Sequence, residues 1–186
     1  MNVRDVTFEE RALSKAAIEK QTVVAFSHAS GEFESDYSTI KKLIAKKGKI
    51  TESEFRSVIN SVKSHAKQTS AKVKTLKKEA KAAGLHSRAQ PGDLNTAVTV
   101  LIKDLNKLLP LVDTLVHKVV GDLELNLVNQ IVDGLTPLLT GLIGGVEGLL
   151  LALAPTLASL VNPLLALVTG LTKSLGIDLN NNTGKL

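Results

Sequence analysis

A run of 25 residues without a charged side chain, between Glu147 and Lys173, is the feature that most constrains the fold of this chain. Leucine, valine, alanine and glycine dominate the run, and such side chains leave water for a core or for another apolar phase. The run is long enough to span a membrane. However, Pro155 and Pro163 interrupt it, and neither a Trp/Tyr belt nor a Lys/Arg cluster adjoins it. Three interpretations stay open: a buried core, a face reversibly exposed to interfaces or lipid, and a membrane span.

Charge and residue type divide the chain into two regions. Residues 1–90 carry 18 Lys/Arg against 10 Asp/Glu, whereas residues 91–186 carry 5 against 8. All five aromatic residues lie in the first region, and 26 leucines lie between Leu94 and Leu179. The polar stretch from Gly84 to Asp93 contains Gly and Pro, which is typical of a loop. We therefore expect a basic amphipathic helical region at 1–90 and a Leu-rich hydrophobic helical region at 91–186.

The N-terminal part of the first region has a predicted helix start. The sequence Thr7-Phe8-Glu9-Glu10 matches a capping box, in which Thr and Glu side chains satisfy first-turn amides. We expect a helix from about Phe8 to His28 to follow it. A shorter helix is expected near Tyr37 to Lys46.

A second capping box, Thr51-Glu52-Ser53-Glu54, opens the longest predicted helix. Apolar or small residues then recur at alternating steps of four and three, as in a heptad seam: Phe55, Ile59, Val62, Ala66, Thr69, Val73, Leu76, Ala80 and Ala83. Gly84 stands where a left-handed C-cap belongs. Because several seam residues are Ala or Thr, we expect close antiparallel packing within the chain.

Prolines divide the second region into several predicted helices. Asp93 is the expected N-cap of the first, and Pro110 is expected to end or kink it. Pro137, Pro155 and Pro163 each suit the first turn of a new helix. The predicted fold class is all-α: a helical bundle with a long basic amphipathic helix and a Leu-rich array of helices hinged at these four prolines and at glycines.

Two sets of side chains are the candidate contact residues. The leucines expected to meet an interface or lipid are Leu138, Leu142, Leu149, Leu150, Leu153, Leu157, Leu160, Leu164, Leu167 and Leu171. The basic surface expected to face an anionic lipid or polysaccharide comprises Lys63, Lys67, Lys74, Lys78 and Lys81. The alternatives are a buried core for the leucines and a solvated helix face for the lysines. The Gly141-to-Gly145 and Gly144-to-Gly148 spacings would allow close helix packing.

Catalytic, metal and cofactor sites are not predicted. The absence of Cys excludes a disulfide framework, a thiolate metal site and a Cys nucleophile. The four histidines are scattered, and no nucleophile elbow or phosphate-binding glycine loop occurs. No aromatic platform or nucleic-acid motif accompanies the lysines. We therefore expect a protein that is not an enzyme and that has no cofactor, no nucleic-acid partner and no small-molecule substrate.

The layout of the chain resembles a group of small secreted proteins of mushroom-forming fungi. A hydrophilic first half precedes a cysteine-free half rich in Leu, Val, Gly and Pro, most clearly in LVNPLLALVTGLTKSLG from Leu160 to Gly176. Those fungal proteins occur in the medium and the hyphal wall and help hyphae attach and grow into air alongside hydrophobins. The resemblance implies a secreted, wall-associated, surface-active role. The N-terminus has no apolar signal segment, so we expect the mature form of such a protein.

The resulting expectation is a protein that adsorbs to boundaries between hydrophobic and hydrophilic phases. Its partner would be a hydrophobic surface, a lipid or a cell-wall polymer, with self-association possible. Two alternatives stay open. One is a lipid-binding or membrane-inserting protein, and the other is a structural or effector bundle that binds a protein.

Overall fold

The computed structural model describes the backbone of residues 3–83 and 92–183, and the side chains of residues 16–83 and 92–175. Over these residues the chain is helical and has no strand, which confirms the all-α prediction. Its helices are α1 (Val3–Ile44), α2 (Glu52–Ala82), α3 (Gly92–Val120), α4 (Leu125–Val132), α5 (Leu135–Leu153), a 3₁₀ segment (Pro155–Val161) and α6 (Asn162–Thr183). The predicted Gly84 C-cap and most of the predicted loop from Gly84 to Asp93 lie outside the described residues.

α1 is one continuous helix where two were predicted. It begins at Val3, so Thr7 lies inside it, and it passes through Gly31 to end at Ile44. Apart from Ser30, its described buried residues recur at steps of three and four: Ile18, Thr22, Phe26, Ala29, Phe33, Asp36, Ile40 and Leu43. A glycine inside a helix costs about 1 kcal/mol. The buried seam continues on both sides of Gly31 and outweighs that cost.

The predicted capping box and seam of α2 are confirmed. The Glu54 amide donates to the Thr51 hydroxyl at 3.2 Å, and the Thr51 amide donates to the Glu54 carboxylate at 3.0 Å. A hydrogen bond from Lys46 and those from Thr51 lower the pKa of Glu54 to about 2. The seam residues from Phe55 to Ala80 are all buried, so one face of α2 packs along its whole length.

α3 continues through Pro110, so this residue does not end the helix, and the alternative of a kink stays a prediction. Proline removes one backbone donor from a helix. Leucines and valines are buried on both sides of it and hold the two parts of α3 in the core: Leu101, Leu105, Leu108, Val112, Leu115 and Val119. Asp93 lies in the first turn of the helix, which begins one residue earlier, at Gly92.

Five helices form the bundle, and each packs mainly against two others. The order around the bundle is α3, α1, α2, α5 and α6, and α6 packs back against α3. α1 and α2 run antiparallel, because Asp36 contacts His65 while Lys46 contacts Glu54. α1 and α3 run parallel, because Ser30 pairs with Asp104 and the carbonyl of Ile44 with Lys118.

One hydrophobic core joins the two compositional regions. Residues of α1 and α2 share a single buried cluster with residues of α3, α5 and α6. α2 and α5 lie parallel and very close, since a Cβ built on Gly145 would lie 3.3 Å from Val73 Cγ1. A Cβ on Gly148 would lie 2.6 Å from Lys77 Nζ. Two of the glycines predicted to permit close packing therefore lie at this contact.

Replacing Thr51 by Ala should destabilise the bundle by about 1 kcal/mol, because the first turn of α2 loses its side-chain acceptor. The measurement is the free energy of unfolding in urea. Ser53→Ala is the matched control, since Ser53 is an exposed neighbour in the same turn. Equal stabilities of the two variants would contradict a role for the capping box.

Candidate interfacial site

Most of the leucines predicted to contact an interface are buried inside the bundle. Seven of the ten lie in the core: Leu142, Leu149, Leu150, Leu153, Leu157, Leu164 and Leu171. Leu138 and Leu167 are half-buried, and Leu160 is exposed. In the closed bundle the seven buried leucines face other helices. They can meet an outside phase only if those helices separate.

The closed bundle nevertheless has a surface that bears no charge. It is formed by the end of α5, the 3₁₀ segment and the first three turns of α6, all within the charge-free run. Two large apolar side chains are exposed on it, Leu151 at 55% and Leu160 at 38%. The other exposed residues are small or neutral: Pro155, Thr156, Ser159, Asn162, Pro163, Ala166, Thr169, Gly170 and Thr172. We call this the neutral surface.

Sequence reasoning missed Leu151 as a surface residue. It lies in the run Leu149-Leu150-Leu151, where identical side chains hide which one points outward. In the structure Leu150 and Leu153 are buried against the neighbouring helices, whereas Leu151 between them is exposed.

The four proline positions differ in their surroundings. Pro155 is the first residue of the 3₁₀ segment, Pro163 the second residue of α6 and Pro137 the third residue of α5. These three therefore lie in the first turn after a junction, where proline fits a helix. Pro110 instead lies within α3, in a groove of about 220 Å³ that Ala166 and Gly170 of α6 also line.

α1 and α2 are joined by a polar cluster, which we call the His65 clasp. The His65 ring lies between two carboxylates of α1, with Nε2 2.9 Å from Glu32 Oε2 and Nδ1 2.6 Å from Asp36 Oδ2. The Ser61 hydroxyl donates to Asp36 Oδ1 at 2.7 Å. Asp36 is only 3% exposed, so its charge depends on these partners. Both ring nitrogens therefore lie within hydrogen-bond distance of a carboxylate of α1.

A second polar cluster, the Asp104 clasp, joins α1 and α3. The Ser30 hydroxyl donates to the buried Asp104 carboxylate, and Lys107 pairs with Glu34 at 3.3 Å. Burial raises the pKa of Asp104, and its hydrogen bond with Glu34 raises it further. The hydrogen bonds with Lys107 and Asp104 lower the pKa of Glu34.

Further polar contacts bind α3 to the connection between α1 and α2. The Lys118 ammonium donates to the carbonyls of Ile44 and Lys46 at 2.6 and 3.0 Å. The Ile50 amide donates to Asp122 Oδ2 at 3.1 Å. Each of the first three helices is therefore tied to another by charged groups as well as by apolar packing.

α5 and α6 are attached differently. Among the described side chains, α6 makes one polar contact with another helix, in which Ser174 donates to Asp113 at 2.8 Å. Within the same residues, α5 and the 3₁₀ segment make no side-chain hydrogen bond or ion pair with another helix. The leucine-rich helices are therefore held mainly by apolar packing.

The five predicted basic residues lie along α2, and all but one of them are exposed. Lys67, Lys74, Lys78 and Lys81 are exposed. Lys63 is half-buried, and burial lowers its pKa. Lys74, Lys78 and Lys81 line one groove of about 500 Å³ together with Lys77, which was not among the predicted residues.

Two segments are apolar and long enough to cross a membrane by length and composition, Leu125–Leu153 and Pro155–Leu175. Buried core helices meet the same criteria, so this finding is weak support for a membrane span. Within the described part of the chain, no group of three His, Cys, Asp or Glu residues is placed to hold a metal ion.

Comparison with protein-family models, curated proteins and solved structures finds no match to this chain. No activity can therefore be inferred for this protein from a relative. Its function has to be inferred from its surface and its packing.

Replacing His65 by Leu should destabilise the bundle by about 3 kcal/mol, because Asp36 would keep a buried charge without its main partner. His28→Leu is the control, since the His28 side chain is 74% exposed and its ion pair, with Glu32 at 3.0 Å, lies within α1. The free energy of unfolding in urea at neutral pH measures the difference. Similar values for the two variants would contradict the His65 clasp.

Asp104→Asn should flatten the dependence of stability on pH. The pKa of Asp104 is raised in the folded state, so its contribution is fully present below its unfolded value of 3.8 and is lost as pH rises through the folded pKa. The variant should match the wild type in acid and exceed it at neutral pH. Urea unfolding across that range provides the test, and parallel curves for the two proteins would contradict the assignment.

Proposed function

We propose that this chain is a non-enzymatic, surface-active protein that adsorbs where a hydrophobic phase meets water. The observation that carries the proposal is the contrast between its two groups of helices. Polar clasps join α1, α2 and α3, whereas α5, the 3₁₀ segment and α6 present the neutral surface and are held mainly by apolar contacts. Such an arrangement suits a protein that keeps one part folded in water while another part meets an apolar phase.

The free-energy argument depends on which contacts an apolar phase can replace. A buried leucine keeps its gain of about 1.5–3 kcal/mol when it moves from a core into another apolar phase. A buried carboxylate does not, because it would lose its partners without gaining water. Opening at an interface therefore costs least where α5 and α6 pack, and most at the two clasps. Domain stabilities of about 5–15 kcal/mol make this difference large enough to matter.

The neutral surface supports a sequence of events at the interface. Leu151 and Leu160 are exposed before any opening, so they make the first apolar contact. The junctions next to Pro137, Pro155 and Pro163 then allow α5 and α6 to separate from the bundle. The seven buried leucines follow them into the apolar phase, while α1, α2 and α3 stay in water.

The setting proposed for this activity is the outside of a cell, at a cell wall. It is based on the resemblance to secreted proteins of the fungal hyphal wall, and the lack of cysteine fits such a cysteine-free layout. The partner would be a hydrophobic surface, a lipid or a wall polymer.

A second candidate function is insertion into a membrane. The two apolar segments favour it, since each has the length of a span. Leakage of a dye from neutral lipid vesicles would distinguish the two, because adsorption flat on the surface leaves vesicles sealed and insertion of α5 and α6 does not.

A disulfide between α2 and α5 should abolish fast adsorption. Val73→Cys with Gly145→Cys places two thiols close enough to join, and the chain contains no other cysteine. The measurement is surface pressure against time at a clean air–water interface. We expect a slow rise for the oxidised form and a fast rise, as in the wild type, after reduction.

The matched control is a disulfide across the Asp104 clasp, Ser30→Cys with Asp104→Cys, which holds together two helices that should not separate. It should leave adsorption fast. A flat trace for the wild-type protein would show that the leucines are a locked core and would refute the proposal. Equally fast adsorption of both oxidised variants would show that adsorption does not require α5 to separate from α2, which would refute the proposal.

A further inference from the structure

Four lysines crowd one end of α2. Lys74, Lys77, Lys78 and Lys81 line the groove of about 500 Å³ together with Ala71 and Thr75, and we call it the lysine groove. The four span about 10 Å along the helix at 1.5 Å per residue. Their positive charges therefore lie within the size of one or two phosphate groups.

The charge of the lysine groove is not balanced within the described part of the protein. Lys74 and Lys78, like Lys77 and Lys81, are four residues apart, a spacing at which like charges repel each other on a helix. Neither Glu79 nor any other described carboxylate forms an ion pair with them. A cluster of like charges that no internal partner stabilises favours an external anion.

Lys77 connects the groove to α5. Its side chain lies across Gly148, so closely that a Cβ on that glycine would be 2.6 Å from Nζ and 2.9 Å from Cε. Leu151 lies one turn further along α5 and is exposed. Because α2 and α5 run parallel, Lys81 lies beside the turn that carries Leu151. The cations therefore border the neutral surface.

We propose that the lysine groove binds the phosphate of an anionic phospholipid headgroup. A phospholipid presents a phosphate directly beside an apolar layer, which matches cations that border exposed leucine. A long polyanion would instead suit a longer basic stripe, and nucleic acid would suit aromatic residues that stack with bases. This assignment rests on the proposed function and extends it. The lysine groove would determine which lipids the neutral surface meets and how the bundle is oriented on them.

Binding to vesicles separates this assignment from the proposed function. Wild-type protein is mixed with vesicles of pure phosphatidylcholine, and with vesicles in which part of it is replaced by phosphatidic acid, and bound protein is recovered by flotation. Binding to the neutral vesicles reports on apolar adsorption alone. The additional binding to phosphatidic acid reports on the lysine groove. We expect that increment to depend on salt.

The triple variant Lys74→Gln, Lys78→Gln, Lys81→Gln should lose the increment, at roughly fivefold in affinity per lysine, and keep its binding to neutral vesicles. The matched control is Lys42→Gln, Lys47→Gln, Lys49→Gln. It changes the net charge equally at exposed lysines of the opposite end of the bundle. An equal loss in both triple variants would overturn the assignment, because net charge alone would then explain the binding.

Gly148→Ala tests the groove without changing the charge. The added methyl displaces the flexible end of Lys77, so the increment should fall by up to about fivefold. Gly144→Ala is its control, because a Cβ there meets nothing within 4 Å. Wild-type increments in both glycine variants would remove Lys77 from the site.

Two competitors identify the source of the anion. If free inorganic phosphate at the same phosphate concentration abolishes the increment, the groove is a general phosphate site and the lipid assignment is wrong. If dextran sulfate binds with the same lysine dependence while phosphatidic acid adds nothing, the partner is a polyanionic polymer, which also overturns the proposal. Retention of the increment in phosphate supports the lipid headgroup.

Discussion

The bundle depends on the way α1 places carboxylates between helices. Asp36 and Glu32 hold His65 of α2, while Ser30 pairs with Asp104 of α3 and Glu34 pairs with Lys107. Buried charged groups of this kind add little net stability when paired, but they penalise any arrangement that separates them. They therefore fix the register of α1 against both neighbours. The leucines of the second region have no such register, because leucine packs acceptably against many apolar surfaces.

Two kinds of contact, apolar and polar, therefore hold the helices together around one core. Apolar contacts extend through all five bundle helices, whereas among the described side chains the polar contacts between helices concentrate on α1, α2 and α3. Water favours both kinds of contact, so the closed form is stable in solution. An apolar phase removes the free-energy advantage of the apolar contacts only. The proposed response to an interface follows from this difference, and the lysine groove at the end of α2 would determine which charged surface the bundle approaches.

The parts of the fold that were predictable from the sequence are those in which one residue type repeats with a helical period. The capping box at Thr51 and the seam of α2 belong to this group. Their residues lie close together in sequence, and each of them is either apolar or a helix cap. The continuity of α1 was not predictable in the same way. Its seam includes Asp36, whose burial makes sense only once His65 and Ser61 are seen beside it.

The candidate site was predictable only in composition. The charge-free run marked the residues that meet an apolar environment, but a run of leucines does not show which of them point outward. Leu151 and Leu150 are chemically identical, and only the position of the neighbouring helices separates them. Pro110 shows the same limit for secondary structure. Packing on both sides of it retained a helix that local rules would end.

The parallel pairing of α1 with α3 has a consequence for synthesis of the chain. Ser30 and Asp104 are 74 residues apart in sequence, so the polar contact between α1 and α3 forms much later in synthesis than the contact of Asp36 with His65 between α1 and α2. Such non-local pairings form slowly. The leucine-rich helices emerge after α1, α2 and α3, and they have to dock onto the surfaces of α2 and α3. Until then they are exposed and prone to associate with one another. Such a protein needs either rapid docking of its leucine-rich helices onto the bundle or an apolar surface to which these helices can bind.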